Sequence, residues 1–417
     1  MNDTRVRSLA HWLIGGATLV ATLLADSLAL AAEAFPSLEE AIARAQSQAP
    51  AAIDARGAAR VAHALEVGAR VSPIGNPSLE VTADRGRYTR GTQVLASLSL
   101  PVEVQGQRAA RISEWQQLVS WKYAELEGTL ARTLSDTVFA YGDVRVARAR
   151  LALAESGEAY AKAEAEAYAR RLTAGDATVY DVSVAESELS RWSQLRAAES
   201  AAFAQSLAQF GELIGGAPVP PPATEAVLPP QLRRSLPSAG FDNWLTSSPA
   251  LRALGAESLY WQASGERMKK EAWAPVNLIL TGGRGDLGES RFGAGLAVSL
   301  PATRRNQGEQ ARAASEGARS SAVRNSLRAA IGHRVRGAVE SFRIAVAGAA
   351  ELDSSGIPSA ERVVSNAAEA QKAGKGEPIR VLIARRDLAA AQARRLELVH
   401  LAWSSYAELA AIKGELP

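Results

Sequence analysis

The side chains most able to bind a metal or carry a proton are few and scattered. Beyond residue 34 the chain holds His63, His333 and His400, a single methionine, Met268, and no cysteine. No two of the histidines stand at ligand spacing, so a resident metal centre is not encoded. Without cysteine there is no disulfide, thiolate ligand, thiol nucleophile or acylated N-terminal cysteine. Serine-elbow, Walker, zincin and dinucleotide signatures are absent, and the glycine-rich stretch 282–288 leads into a strand pattern rather than a helix, which argues against a phosphate cradle. These residues point away from an enzyme: no catalytic, cofactor-binding or metal-binding residue is expected.

Two charges at turns stand out instead. Asp181 follows Gly175, and Arg380 follows Gly374, at the same distance, so two turns of similar make-up carry opposite charges at equivalent positions. Asp176, Thr178 and Lys375 sit beside them.

The elements that would hold these turns emerge from composition and pattern. The chain has 417 residues, 47% of them hydrophobic and 22% charged, which suits a folded protein. Beyond residue 31 no apolar run reaches the ~18 to 20 residues of a membrane-spanning helix, although β-barrel insertion remains open. Net charge is +3 and acids alternate with arginines, leaving no basic block for nucleic acid. The first residues read as a secretory leader over 1–34. Arg5, Arg7 and His11 precede an apolar stretch from Trp12 to Leu24, and small residues allow cleavage after Ala31 or Ala34.

The rest of the chain reads as two copies of one unit, at 35–216 and 237–417, joined by a proline-rich linker at 217–236. Pro50 matches Pro249, Leu98-Ser99-Leu100-Pro101 matches Val298-Ser299-Leu300-Pro301, Gln105-Gly106 matches Gln307-Gly308, and Ala174-Gly175 matches Ala373-Gly374. Each unit opens with a short helix; in the first, Ser37 and Glu40 form a capping box. One hairpin comes next in each copy. Leu79, Val81 and Ala83 alternate before the turn, and Val94, Ala96, Leu98 and Leu100 after it; Val276, Leu278 and Leu280 alternate in the second copy, then Phe292, Ala294, Leu296, Val298 and Leu300. Such strands fit either a half-buried soluble hairpin or tilted outer-membrane strands.

The long segment after each hairpin favours the outer-membrane reading. No proline occurs between Pro101 and Pro218, and the stretch is rich in strong helix formers. It predicts a helix of roughly 65 residues, a reversal at Gly175 and a return of about 35 residues, the first about 100 Å long. Ala159, Ala163 and Ala167 on the ascending arm and Val182, Ala185 and Leu189 on the descending one are the expected packing face. The second copy repeats the pattern with Pro358 breaking the ascending helix. Four strands cannot close a membrane barrel, which needs at least ~8, so transmembrane strands imply oligomerisation; three chains would give twelve strands.

In these features the chain resembles the TolC-like outer-membrane factors, over essentially all of its length after the leader. The resemblance rests on Ser37-Leu38-Glu39-Glu40-Ala41-Ile42, Gly75-Asn76-Pro77, Leu98-Ser99-Leu100-Pro101 with Gly106-Gln107-Arg108, and Ala174-Gly175-Asp176 through Asp181-Val182 to Ala185-Glu186. The Asn-Pro before the first strand and the Pro-x-x-x-x-Gly-x-Arg after the second are most similar to the heavy-metal branch of that family.

The resemblance implies a mainly α fold with a small β part. Long α-helical hairpins would form a periplasmic α-barrel, and two β-hairpins per chain would contribute to a trimeric twelve-stranded outer-membrane β-barrel. It implies a homotrimer seated in outer-membrane lipid and extending into the periplasm, working with a periplasmic adaptor (membrane fusion protein) and an inner-membrane resistance-nodulation-division pump. The duct would be passive and without cofactor, exporting divalent heavy-metal cations. Drugs, type I protein secretion, or a soluble periplasmic coiled-coil scaffold are the alternatives. Asp181 and Arg380 would line the pore constriction, and Gly175, Asp176, Thr178, Gly374 and Lys375 would meet the adaptor. The chain departs from the family in lacking the acylated cysteine and in carrying Arg380 where an aspartate is usual.

Overall fold

The computed structural model describes residues 34–85, 91–223, 244, 247–373, 375 and 378–417. The leader up to residue 33, the linker from 224 to 236 and Gly374 lie outside the described residues. Helices α1 (Leu38–Gln48) and α2 (Pro50–Ala69) lead to strands β1 (Ser78–Arg85) and β2 (Thr92–Val102), then to α3 (Gln107–Thr173) and α4 (Val179–Ile214). After the linker, α5 (Pro249–Glu271) leads to β3 (Val276–Arg284) and β4 (Ser290–Ala297), then α6 (Gln307–Glu351), a π-helical turn (Leu352–Gly356), α7 (Ile357–Lys372) and α8 (Pro378–Lys413). The order of helix, hairpin and long helical pair thus occurs twice.

Local chemistry explains the boundaries. The Ser37 backbone N–H donates to Glu40 Oε2 at 2.9 Å and the Glu40 N–H donates to Ser37 Oγ at 3.2 Å, the expected capping box of α1. Helix α3 runs 67 residues and α4 runs 36. Gly106 (φ 80°) and Asn306 (φ 59°) precede α3 and α6 in left-handed conformation. Gln107 Oε1 accepts from the Gln105 N–H at 2.8 Å and Gln307 Oε1 accepts from the Arg305 N–H at 3.0 Å. The structural equivalents are therefore Gly106 with Asn306 and Gln107 with Gln307, not Gln105-Gly106 with Gln307-Gly308 as letter matching suggested. Asparagine tolerates the left-handed region that glycine occupies in the first copy, which hid the match.

The second ascending arm is interrupted where Pro358 falls, as expected: the π-helical turn Leu352–Gly356 divides it into α6 and α7, and Pro358 sits in the first turn of α7.

The described residues divide into two packed units, each drawing on both sequence halves: those of 34–45, 137–223 and 345–403 in one, and those of 46–136, 244–344 and 404–417 in the other. In the first unit the Phe35 ring packs 5.1 Å from Tyr141 and 5.5 Å from Phe210. Helices approach closely through glycine: a Cβ on Gly142 would come within 2.3 Å of the Trp403 ring, and one on Gly157 within 2.3 Å of Trp192. The buried stripe of ascending α3 is Ala154, Ala161, Ala165 and Tyr168, whereas Ala159 and Ala163 are exposed. With alanine on every side of the helix, composition gives the packing face no phase. On α4 the expected residues do pack: Ala185, with Val182 and Leu189 beside it, meets Ala165 and Tyr168. The second unit has its own core of Leu251, Ile331, Val335, Ala338, Leu409 and Ile412, and holds the sheet.

Candidate functional site: the sheet face and the helix reversals

The four strands form one antiparallel sheet in the order β1-β2-β3-β4. Register places Leu79 opposite Leu98, Leu98 opposite Leu280 and Leu280 opposite Ala294; Val81, Ala96, Gly282 and Phe292 form the next row across. Alternation gathers the large apolar residues expected in β1 to β3, with Phe292 and Leu296 of β4, onto one face, with Glu80, Thr82, Leu95, Ser97, Ile279, Thr281 and Gly293 on the other; Val298 and Leu300, expected in the last strand, lie beyond β4, which ends at Ala297. That apolar face is bare. Leu79 is 69% exposed, Leu280 57%, Leu296 69% and Phe292 88%. Single exposed leucines need no explanation, but a contiguous four-strand apolar face does. Strands β1 and β4 also leave their outer edges unpaired within the chain, a liability unless another chain covers them. Among the described residues no helix is long and apolar enough to cross a membrane.

The first reversal lies in the other unit. The Asp176 N–H donates to Arg171 O at 2.8 Å and the Gly175 N–H to Leu172 O at 3.1 Å, with Gly175 at φ 81°. This double closure requires the left-handed backbone that only glycine adopts without strain. The Lys375 N–H repeats the outer bond, donating to Ala370 O at 2.9 Å. Asp176, Thr178, Lys375 and Arg380 are exposed.

Asp181 has a local task. Thr178 donates its N–H to Asp181 Oδ2 at 2.9 Å and its hydroxyl to the same oxygen at 2.7 Å, while the Asp181 N–H donates to Thr178 Oγ1 at 3.2 Å. The pair is a capping box for α4. These bonds from Thr178 hold the Asp181 carboxyl below its ordinary range. Among the described residues no ion pair within the chain joins Asp181 to Arg380.

A cavity of about 370 Å³ beside the reversal is lined by Glu164, Tyr168, Tyr180, Asp181, Ile379 and Leu382, among others. Burial pushes the Glu164 carboxyl above its usual range, partly offset by Arg385. The strongest ionic contact nearby is one that sequence reasoning missed. Glu188 on α4 is 3% exposed and is clasped from two directions: Arg191 Nη2 donates to its Oε1 at 2.5 Å and Arg386 Nε, from α8, to its Oε2 at 3.1 Å. Burial resists its ionisation, but the hydrogen bonds from both guanidinium groups overcome this and hold its pKa at about 2. The one legible signal was the helical spacing of Glu188 and Arg191.

The histidines are not gathered. His63 and His333 are exposed. His400 Nε2 lies 3.1 Å from Asp143 Oδ1, whose Oδ2 accepts from the Ser206 hydroxyl at 2.5 Å. Among the described residues no cluster of three or more metal-ligating side chains occurs.

No family model matches the chain. It is 27% identical over 331 residues, 79% of this chain and 78% of the relative, to the cobalt-zinc-cadmium resistance protein CzcC of Cupriavidus metallidurans. The outer membrane protein VceC from Vibrio cholerae superposes with a TM-score of 0.72 at 16% identity, covering 91% of this chain and 97% of VceC. CusC, whose structures describe transmembrane channel formation, superposes with a TM-score of 0.72 at 15% identity, covering 91% and 92%. The chain has the fold of the TolC-like outer-membrane channels.

Proposed function

We propose that the chain is the outer-membrane exit duct of a tripartite efflux system and that its cargo is divalent heavy-metal cations. The observation that carries this reading is the bare apolar sheet face with an unpaired edge on either side. Lipid covers the face, and further copies cover the edges; three copies of the four-stranded sheet supply twelve strands, enough for a closed barrel. The duct is passive and takes its energy from an inner-membrane pump through a periplasmic adaptor. The adaptor meets the reversals at Gly175, Asp176, Thr178, Gly374 and Lys375. Asp181 and Arg380 face the pore constriction. Asp181 Oδ1 accepts no bond among the described residues, so one carboxylate oxygen is left for an arginine of another copy. Similarity to CzcC, named for cobalt, zinc and cadmium, supports the cargo.

The internal repeat also supports a particular seam between copies. Within the chain, Leu100 of β2 faces Leu278 of β3. The repeat equivalent of Leu100 is Leu300. Leu278 faces Leu296, whose equivalent Ala96 faces Val81. If the seam between copies copies the seam within one and carries β4 on beyond Ala297, Leu300 lies opposite Val81 of the next copy.

Growth of a deletion strain on zinc, cobalt and cadmium salts, alongside dyes, detergents and antibiotics, tests the cargo. Sensitivity confined to metals, with raised cell-associated metal, is expected. Sensitivity confined to organic compounds would keep the duct and discard the metal.

A further inference from the structure

The apolar sheet face ends in arginine twice. Arg85 is the last residue of β1 and Arg284 the last of β3, at the hairpin end remote from the helices of the same unit. Strand alternation puts Arg85 on the face of Leu79, Val81 and Ala83, and Arg284, opposite Val94, on that same face. Both are exposed. The Arg284 Nε–H donates to Gly288 O at 3.1 Å, and its other donors make no hydrogen bond among the described residues.

Neither arginine forms a salt bridge among the described residues, and the neighbouring acids are mostly engaged elsewhere. Asp84, opposite Gln93, falls on the polar face, and Glu289 is held by Arg291 at 2.5 Å. Asp286, in the β3–β4 loop, is the remaining acid nearby. Phe292, on the same face and one row below Arg284, is 88% exposed.

From this geometry we infer a binding site for the phosphate groups of an outer-leaflet glycolipid. The inference rests on the outer-membrane reading above. A guanidinium at the rim of an apolar band has left water on one side and reaches for whatever anion lies at that depth. In a phosphorylated glycolipid leaflet that anion is a phosphate, which the planar fork of arginine binds bidentately. The aromatic ring, one same-face row below Arg284 and two below Arg85, suits the headgroup boundary. Because both hairpins carry the arginine at the end of their first strand, three copies present six around the barrel mouth.

The purified trimer, titrated with bis-phosphorylated lipid A and with its dephosphorylated form under native mass spectrometry, provides the test. Wild type should retain the phosphorylated lipid at least tenfold better than the dephosphorylated one, about 1.4 kcal/mol or more. The double variant Arg85→Gln with Arg284→Gln should lose that preference, whereas Arg291→Gln, on the polar face, should keep it. Conductance in phosphatidylcholine bilayers, which lack the glycolipid, should be the same for all three. Retention of the preference by a conducting double variant would overturn the site. Absence of conductance in wild type would instead count against the channel reading itself.

Discussion

The sheet and the first helix reversal are built on opposite principles. At the reversal the chain answers its own needs: Gly175 closes α3, Thr178 and Asp181 close α4, and Glu188 holds two arginines, one from each sequence half. The sheet answers almost none of its own. One face mixes Glu80, Thr82, Ser97 and Thr281 with Leu95 and Ile279, while the apolar face is bare and the outer edges of β1 and β4 have no strand partner among the described residues. Unmet need is the more informative of the two, because it names the missing partner by its chemistry: hydrocarbon for Leu280 and Phe292, backbone for β1 and β4. A satisfied region such as the reversal folds equally well whether or not it gates anything.

That contrast can be broken by substitution, and the largest effect belongs to the sheet. Leu280→Arg puts a charge on the lipid face and should cost about 2 to 4 kcal/mol, read as loss of the membrane-inserted trimer, while Thr281→Arg on the other face should insert normally. Equal insertion of both would mean the faces are not different.

The Glu188 contact comes next. Glu188→Ala leaves Arg191 and Arg386 without their anion and should destabilise by about 2 to 3 kcal/mol, discounted because both arginines are half exposed. The effect has a pH signature. A carboxyl held at about 2 in the folded chain, against an ordinary value of 4.5, contributes stability that is complete above pH 4.5 and lost as pH falls towards 2. The difference in melting temperature between wild type and Glu188→Gln should therefore shrink on acidification through that window, and a constant difference would refute the ionic origin.

Smallest is the cap. Thr178→Ala should cost about 1 kcal/mol by circular dichroism melting, with Asp181→Asn costing less because an amide still accepts from Thr178.

Much of this is legible in the amino-acid sequence. The α3 and α4 lengths, the capping box at Ser37 and the four strands come from proline spacing and period-two patterning, which act locally. The phase of the long helices does not: Ala159 and Ala163 look the same in sequence as Ala161 and Ala165, and only packing separates them. Pro358 marks the interruption of the second ascending arm, but the form it takes, a π-helical turn over Leu352–Gly356, has no local signature. The Glu188–Arg386 contact spans the linker, and no local spacing announces such a pair. Asp181 is legible as a charge at a turn, but its capping role needs the geometry of Thr178.

Everything in the duct reading depends on further copies of this chain completing the sheet. The chain has no cysteine, so a pair introduced as Val81→Cys with Leu300→Cys reports on one contact alone. Pairing with the next copy would carry β4 on from Ala297 to Leu300, and opposed residues of paired strands lie within disulfide reach. Mild oxidation of membranes should give a covalently closed trimer with this pair, and none with Thr82→Cys and Leu300→Cys, whose side chains fall on opposite faces. Monomer alone from the first pair, in protein released from membranes by salt or alkali, would contradict the duct.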